Sequence, residues 1–250
     1  MPCVNIDRVG ATFSERASTV IKELLCLANS RKHNGRCIAG IEFVGGHAKW
    51  VRPVSDRSGH EVSEAERQLQ GGAEPQVLDV IAVPLIKPQP AGFQRENWLL
   101  EPTSTWHRVR RATWRELQIL EQQPTSLWIN GHQTSAGVND RVPIELEDEV
   151  VDSLKLIRVE SATIEVKAAF WTAKDQEPTV RARFRHAGSE YALRVTDPVY
   201  QDKFRSDGIG KYRLGECFLT VSLGEPFNGH FYKLVAAIVE RAAHDPGHRR

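Results

Sequence analysis

From Arg36 to Phe43 the chain alternates, with Cys37, Ala39, Ile41 and Phe43 toward one face and Arg36, Ile38, Gly40 and Glu42 toward the other. A period of two predicts a half-buried strand. Val44-Gly45-Gly46-His47 supplies glycines that take positive φ without a Cβ clash, so the chain turns back into Lys49–Arg52 as a hairpin partner. Pro53 is expected to end that partner at an edge. Further strands are predicted at Val77–Leu85, Leu154–Val159, Thr163–Trp171, Val180–Arg185, Tyr191–Val195, Phe218–Leu223 and Tyr232–Val239. Between them lie turn signals at Lys87–Pro90, Lys174–Gln176, Ala187–Ser189 and Gly224–Gly229. Two helices are expected: Glu61–Leu69, stopped by Gly71-Gly72, and Trp114–Gln122, capped by Thr113 and prevented by Pro124 from continuing. Over Ser18–Ser30, Val20, Ile21, Leu24, Leu25 and Leu27 fit a short amphipathic helix as well as a buried strand, and periodicity does not separate the two.

Short strands, close turn signals and few helices predict a mainly β protein. The strands fall into two series, before and after about Glu149, which agrees with two small barrels. The division expected is a flexible arm at 1–17, a first barrel at 18–148, a second at 149–240 and a disordered tail at 241–250. Within the first, Phe93–Asn130 reads as an insertion carrying Trp98, Trp106, Trp114 and Trp128 beside Arg108, Arg110, Arg111 and Arg115. That is either an aromatic and basic surface or tryptophan packing with arginines in water. Glu145–Asp152, an acidic run, is the expected connection.

Composition narrows the class. The chain has 250 residues, 40% hydrophobic and 26% charged, which suits a soluble globular protein. No apolar run approaches the about 20 residues of a membrane span, and no signal peptide is recognisable, so the expected location is the cytoplasm. Net charge is only +1, so nucleic-acid binding would have to come from local patches. Cys3, Cys26, Cys37 and Cys217 form no CxxC pair and the nine histidines are scattered, so neither a metal site nor a cofactor is expected.

The run CLANSRKHNGRCIAGI followed by WVRPVS, then LWINGHQTSAGVNDRVP, then TDPVYQDKF with FLTVSLGEPFNGHFYKLVAAI resembles the little-characterised prokaryotic family described as carrying a dual OB-containing domain. The resemblance covers about Lys22 to Val239. It implies two OB-like β-barrels, a strand at Glu23–Ala28, and binding of nucleic acid or a nucleotide, with phage defence as the setting. It implies no catalytic residues.

Candidate binding residues form three groups. Arg31, Lys32 and Arg36 lie around the polar turn Ser30–Gly35, with Trp50 and Arg52 on the next strand, a basic set beside a ring suited to stacking. Arg181, Arg183 and Arg185 alternate with Val180, Ala182 and Phe184; a hairpin would add Arg194, and Lys203 and Lys211 follow. Three arginines at alternate positions span roughly 13 Å, enough for two or more phosphates, unless Glu165, Asp175 or Glu190 neutralises them. The third group is the polar loop with Asn130, His132, Ser135, Asn139, Asp140 and Arg141. Gly208-Ile209-Gly210-Lys211 is not a P-loop, because the glycine spacing is wrong and Tyr212 stands where Ser or Thr should be; nor does Lys203 begin a Lys-x-Asp-Gly motif. The leading expectation is a non-enzymatic module binding single-stranded nucleic acid or a nucleotide. The alternatives are an enzyme acting on a nucleotide or phosphate ester, with His132, Asp140 and Arg141 or Asp197 and Lys203 in its site, and a scaffold whose Phe93–Trp128 region docks a partner protein.

Overall fold

The computed structural model describes residues 18–32, 35–168 and 177–244, and its first element decides between helix and strand. Val20–Lys32 is a 13-residue strand, β1. Leu24 to Ala28 are all buried, which a strand permits only when both of its faces are covered. Leu24 and Cys26 pack with Ile38, Val51, Val83 and Leu85 inside the first unit. Leu25 and Leu27 face the other way, against Leu156, Phe218 and Val239 of the second.

The first sheet continues with β2 (Gly35–Val44), β3 (His47–Val54), β4 (Asp79–Pro88), β5 (Asn97–Leu100) and β6 (His107–Arg111). The order is β1-β2-β3-β5-β4, β4 pairs again with β1, and β6 lies outside on β4. The β3–β5 pair is parallel. Gly40 on β2 is required, because a Cβ there would stand 2.5 Å from the Leu25 carbonyl oxygen. The hairpin at Gly45-Gly46 forms as expected, but β2 is buried on both faces at its centre and Phe43, at its end, is exposed. Pro53 does not end β3; it is paired with Trp98.

Then come α1 (Trp114–Leu120), β7 (Arg141–Pro143), a 3-10 turn at Ile144–Glu149, β8 (Leu154–Val159), β9 (Ala162–Lys167), β10 (Thr179–His186) and β11 (Ser189–Val195). The chain closes with α2 (Pro198–Asp207), β12 (Gly210–Leu214), β13 (Cys217–Phe227), β14 (His230–Glu240) and α3 (Arg241–His244). The second sheet runs β12-β9-β10-β11-β14-β13-β8, with β7 on β14, and its β11–β14 pair is parallel. β8 pairs with β13 and β9 with β10, as the two ends of β1 pair with β4 and β2. Taken as two halves of one broken strand, β8 and β9 make the second sheet repeat the strand order of the first. A five-stranded Greek-key arrangement is the architecture of the OB fold.

Three local expectations meet the tertiary structure differently. The helix expected at Glu61–Leu69 is absent: Val62 bridges to Arg36 and Leu69 to Trp106, so backbone groups a helix would need are engaged with the sheet. Only a turn remains there, tied by Glu66 accepting from the Ser63 backbone and hydroxyl. α1 begins at Thr113 as expected, with the Glu116 carboxylate accepting from both the Thr113 amide and its hydroxyl. Of the insertion's tryptophans, Trp106 and Trp114 are buried, Trp98 is half-buried under the Lys22 amine, and Trp128, also half-buried, donates its indole N–H to Asp152. The arm at 1–17, the Lys174–Gln176 turn and 245–250 lie outside the described residues.

Candidate nucleic-acid interface

On β10, Val180, Ala182 and Phe184 enter the core, leaving Arg181, Arg183 and Arg185 on the other face. Cross-strand register extends that face over four strands, because residues directly opposite one another point the same way. One row reads Lys211–Glu165–Arg181–Arg194 and the next Arg213–Thr163–Arg183–Ala192, from β12 through β9 and β10 to β11. Lys167 and Arg185 extend the rows. The strands thus present seven cations, Lys167, Arg181, Arg183, Arg185, Arg194, Lys211 and Arg213, against two carboxylates, Glu165 and Glu190. Arg213 escaped the sequence reading because β12 was not assigned as a strand; Lys167 lies on β9, within the strand expected at Thr163–Trp171, and was passed over.

The cations differ in their freedom. Glu165 is buried and lies 3.3 Å from Arg183, 3.3 Å from Lys167 and 3.5 Å from Lys211. Burial raises its carboxyl, but bonds from Lys167 and Arg183 outweigh that and hold it below its ordinary value. Arg183 also meets Glu190 at 2.5 Å, the neutralisation weighed from the sequence. Arg181 lies across β11, its Nη1 3.1 Å from Asp140 and 3.2 Å from the Ala192 carbonyl. Arg185, Arg194 and Arg213 have no carboxylate partner among the described residues.

The first basic group goes elsewhere. Arg31 binds both oxygens of Asp202 at 2.6 and 2.8 Å, and Lys32 meets Glu225 at 2.5 Å. Arg52 is buried, 2.9 Å from Glu96 and 2.8 Å from the Ser153 hydroxyl. The Trp50 indole donates to Gln122 at 3.1 Å. These residues join the two sheets, while Arg36, half-buried, is held by its backbone against Val62. His33 and Asn34 lie outside the described residues. Lys203, on α2, covers the rings of Phe204 and Tyr200 and is not part of the four-strand face.

The polar loop is an internal network. Asp140 is buried and accepts from the Thr134 amide and hydroxyl, both at 2.7 Å, besides Arg181. His132 is not among its partners, so the acid–base pair weighed from the sequence does not form. Asn139 accepts from the Gly131 amide and donates to the Glu190 carbonyl. Asn130 donates to the Tyr191 hydroxyl at 2.9 Å and accepts from Lys233 at 3.1 Å. Ser135 and Arg141 lie along the same segment, Arg141 opposite Tyr232 on β14. Lys233, missed in the sequence, is 1% exposed, donates to the Ile129 carbonyl at 2.7 Å and stands over Tyr191. Burial pushes its ammonium down to about 7. The signal was available: Lys233 occupies an inward position between Phe231 and Val235 in an alternating strand.

Asp197, the other candidate acid, caps α2. Its oxygens accept from the Val199, Tyr200 and Ile238 amides, and burial pushes its carboxyl up to about 6 against those bonds. Asp-Pro followed ten residues later by Gly is a helix signature that the sequence reading passed over. Among the described residues no group of three or more His, Cys, Asp or Glu could hold a metal ion, and no helix is long and apolar enough to cross a membrane.

A family model described as the dual OB-containing domain matches residues 22–238. No curated protein matches. Among solved structures, the crystal structure of the tetrameric p202 HIN2 aligns over 88% of this chain and 92% of its own, at 7% identity and a TM-score of 0.29. That score is too low to carry an argument.

Proposed function

Because the chain belongs to the dual OB-containing domain family, we propose that it is a nucleic-acid-binding module that holds a single strand across the outward face of β12, β9, β10 and β11. The observation that carries this reading is the register that gathers seven cations and two carboxylates on one face. OB folds bind strands across their second and third strands, and β10 and β11 hold those places in the second sheet. The described outward positions of the four strands carry no aromatic ring, so the face reads phosphates rather than stacking bases. Binding is then strongly salt-dependent and weakly sequence-dependent. The proposed setting, a prokaryotic defence system, rests on the family resemblance alone; plaque counts with and without the gene would test it.

The direct test is fluorescence anisotropy with labelled single-stranded DNA and RNA across a salt series, comparing wild type with Lys211→Ala/Arg213→Ala. Both side chains are exposed, so the fold should survive. The log–log salt slope should fall by about 1.4, at roughly 0.7 per phosphate contact on single strands. Absence of binding by the wild type at low salt would overturn the reading.

A further inference from the structure

In the first sheet β1 runs through its bend unbroken, with a bulge between Cys26 and Ala28. In the second, the corresponding strand is cut at Glu160-Ser161 into β8 and β9. Beside the cut lies a cleft of about 690 Å³ between this corner and the β10–β11 turn, its wall carrying Arg158, Arg183, Arg185, His186, Ser161 and Thr163. It is a polar cleft, at the end of β10 away from Thr179.

Its donors are incompletely used. Among the described residues Arg185 makes one bond, to the Gly188 carbonyl at 3.2 Å. The His186 Nε2 lies 2.9 Å from the Pro124 carbonyl oxygen; a carbonyl only accepts, so the proton sits on Nε2 and Nδ1 faces the other way. Arg158 leans on Glu121 and Glu216 at 3.1 and 3.3 Å. Two carboxylates share the wall, Glu160 and Glu190. Glu190, which holds Arg183, has a half-exposed side chain and can swing into water when a stronger anion arrives. A phosphomonoester, with a charge of about −1.5 to −2 and three acceptor oxygens, competes with such a carboxylate better than a singly charged diester does.

We propose that this cleft receives a terminal phosphomonoester. Arg183 belongs to both the cleft and the four-strand face, so one source is the phosphate at the end of a strand lying on that face, which rests on the function proposed above. The other source is a free nucleotide. In either case Arg185 and Arg183 grip the phosphate oxygens from β10, Arg158 closes from β8, and the Ser161 and Thr163 hydroxyls donate from the corner.

The experiment compares four probes at one salt concentration: a 12-mer with hydroxyl ends, the same 12-mer with a 5′-phosphate, with a 3′-phosphate, and AMP alone. Anisotropy reads the 12-mers and calorimetry reads AMP, on wild type, Arg185→Ala and Arg158→Gln. One of the phosphorylated 12-mers should bind about tenfold tighter than the hydroxyl form, the worth of one charge-assisted contact. Both variants should bring that ratio close to one, Arg158→Gln doing so from outside the face. AMP binding lost in both variants, with no preference among the 12-mers, supports the cleft with a free nucleotide as its source. AMP binding without any 12-mer binding also supports the cleft and removes the strand face. Equal binding of all 12-mers with no AMP binding overturns the cleft and leaves the face standing, and no binding of any probe overturns both.

Discussion

Replacing Lys233 by methionine takes an amine out of the interior of the second unit while keeping most of its volume. The Lys233 ammonium is pushed down to about 7 from its ordinary 10.5 by burial, which outweighs the favourable Asp140 charge. In the unfolded chain the amine keeps its proton to about pH 10. Between pH 7 and 10 the unfolded state therefore binds more protons than the folded one, and stability must rise with pH. The slope approaches 1.4 kcal/mol per pH unit, and integration from pH 7 to pH 9 gives about 2 kcal/mol. Below pH 7 the amine is charged in both states, the full penalty is present and the slope vanishes. The neutral amine still carries two protons, one each for the Ile129 carbonyl and Asn130 Oδ1, so the network survives deprotonation. Urea unfolding of wild type and Lys233→Met at pH 6, 7, 8 and 9 isolates this group, because the other titrations cancel in the difference. The difference should move in favour of the wild type by about 2 kcal/mol between pH 7 and 9. A flat difference, or one that moves toward the variant, would refute the reasoning.

Arg52→Ala leaves the buried Glu96 carboxylate without its cation and should cost about 3–5 kcal/mol, read by urea midpoint; a loss below about 1 kcal/mol would mean that water reaches the joint between the sheets. Glu116→Ala removes the acceptor for the Thr113 amide and hydroxyl and should cost about 1 kcal/mol at pH 7. Bonding to Arg110, ahead of the Thr113 contacts, holds the Glu116 carboxyl below its ordinary 4.5. That contribution is present above about pH 4.5 and is lost as pH falls through the lower folded value, so the wild-type advantage should shrink in acid melts. Burial pushes both the Cys26 and Cys217 thiols up to about 12. Mass spectrometry after iodoacetamide treatment should find them alkylated in urea but not in buffer, and labelling of either in the native protein would contradict the packing.

What could be read locally from the chain was periodicity and punctuation. The arginine and apolar alternation of Val180–Arg185, the Gly45-Gly46 turn and the Thr113 helix start each depend on residues within a few positions of one another, and each appears in the structure. The Asp197-Pro198 helix start was equally legible and was passed over. Other assignments depended on partners that no local pattern names. β1 fitted a helix as well as a strand because both of its faces are buried, one in its own unit and one against the other sheet. Glu61–Leu69 has the composition of a helix, yet its backbone is taken by Arg36 and Trp106. The basic residues show the division most clearly. Arg31, Lys32 and Arg52 look as free in the sequence as Arg185 and Arg194, but they meet Asp202, Glu225 and Ser153, which lie 171, 193 and 101 positions away. Alternation therefore determined which side of a strand a charge occupies, whereas only tertiary pairing decided which charges are neutralised in the joint and which face outward, because a salt bridge is set by distance in space rather than along the chain.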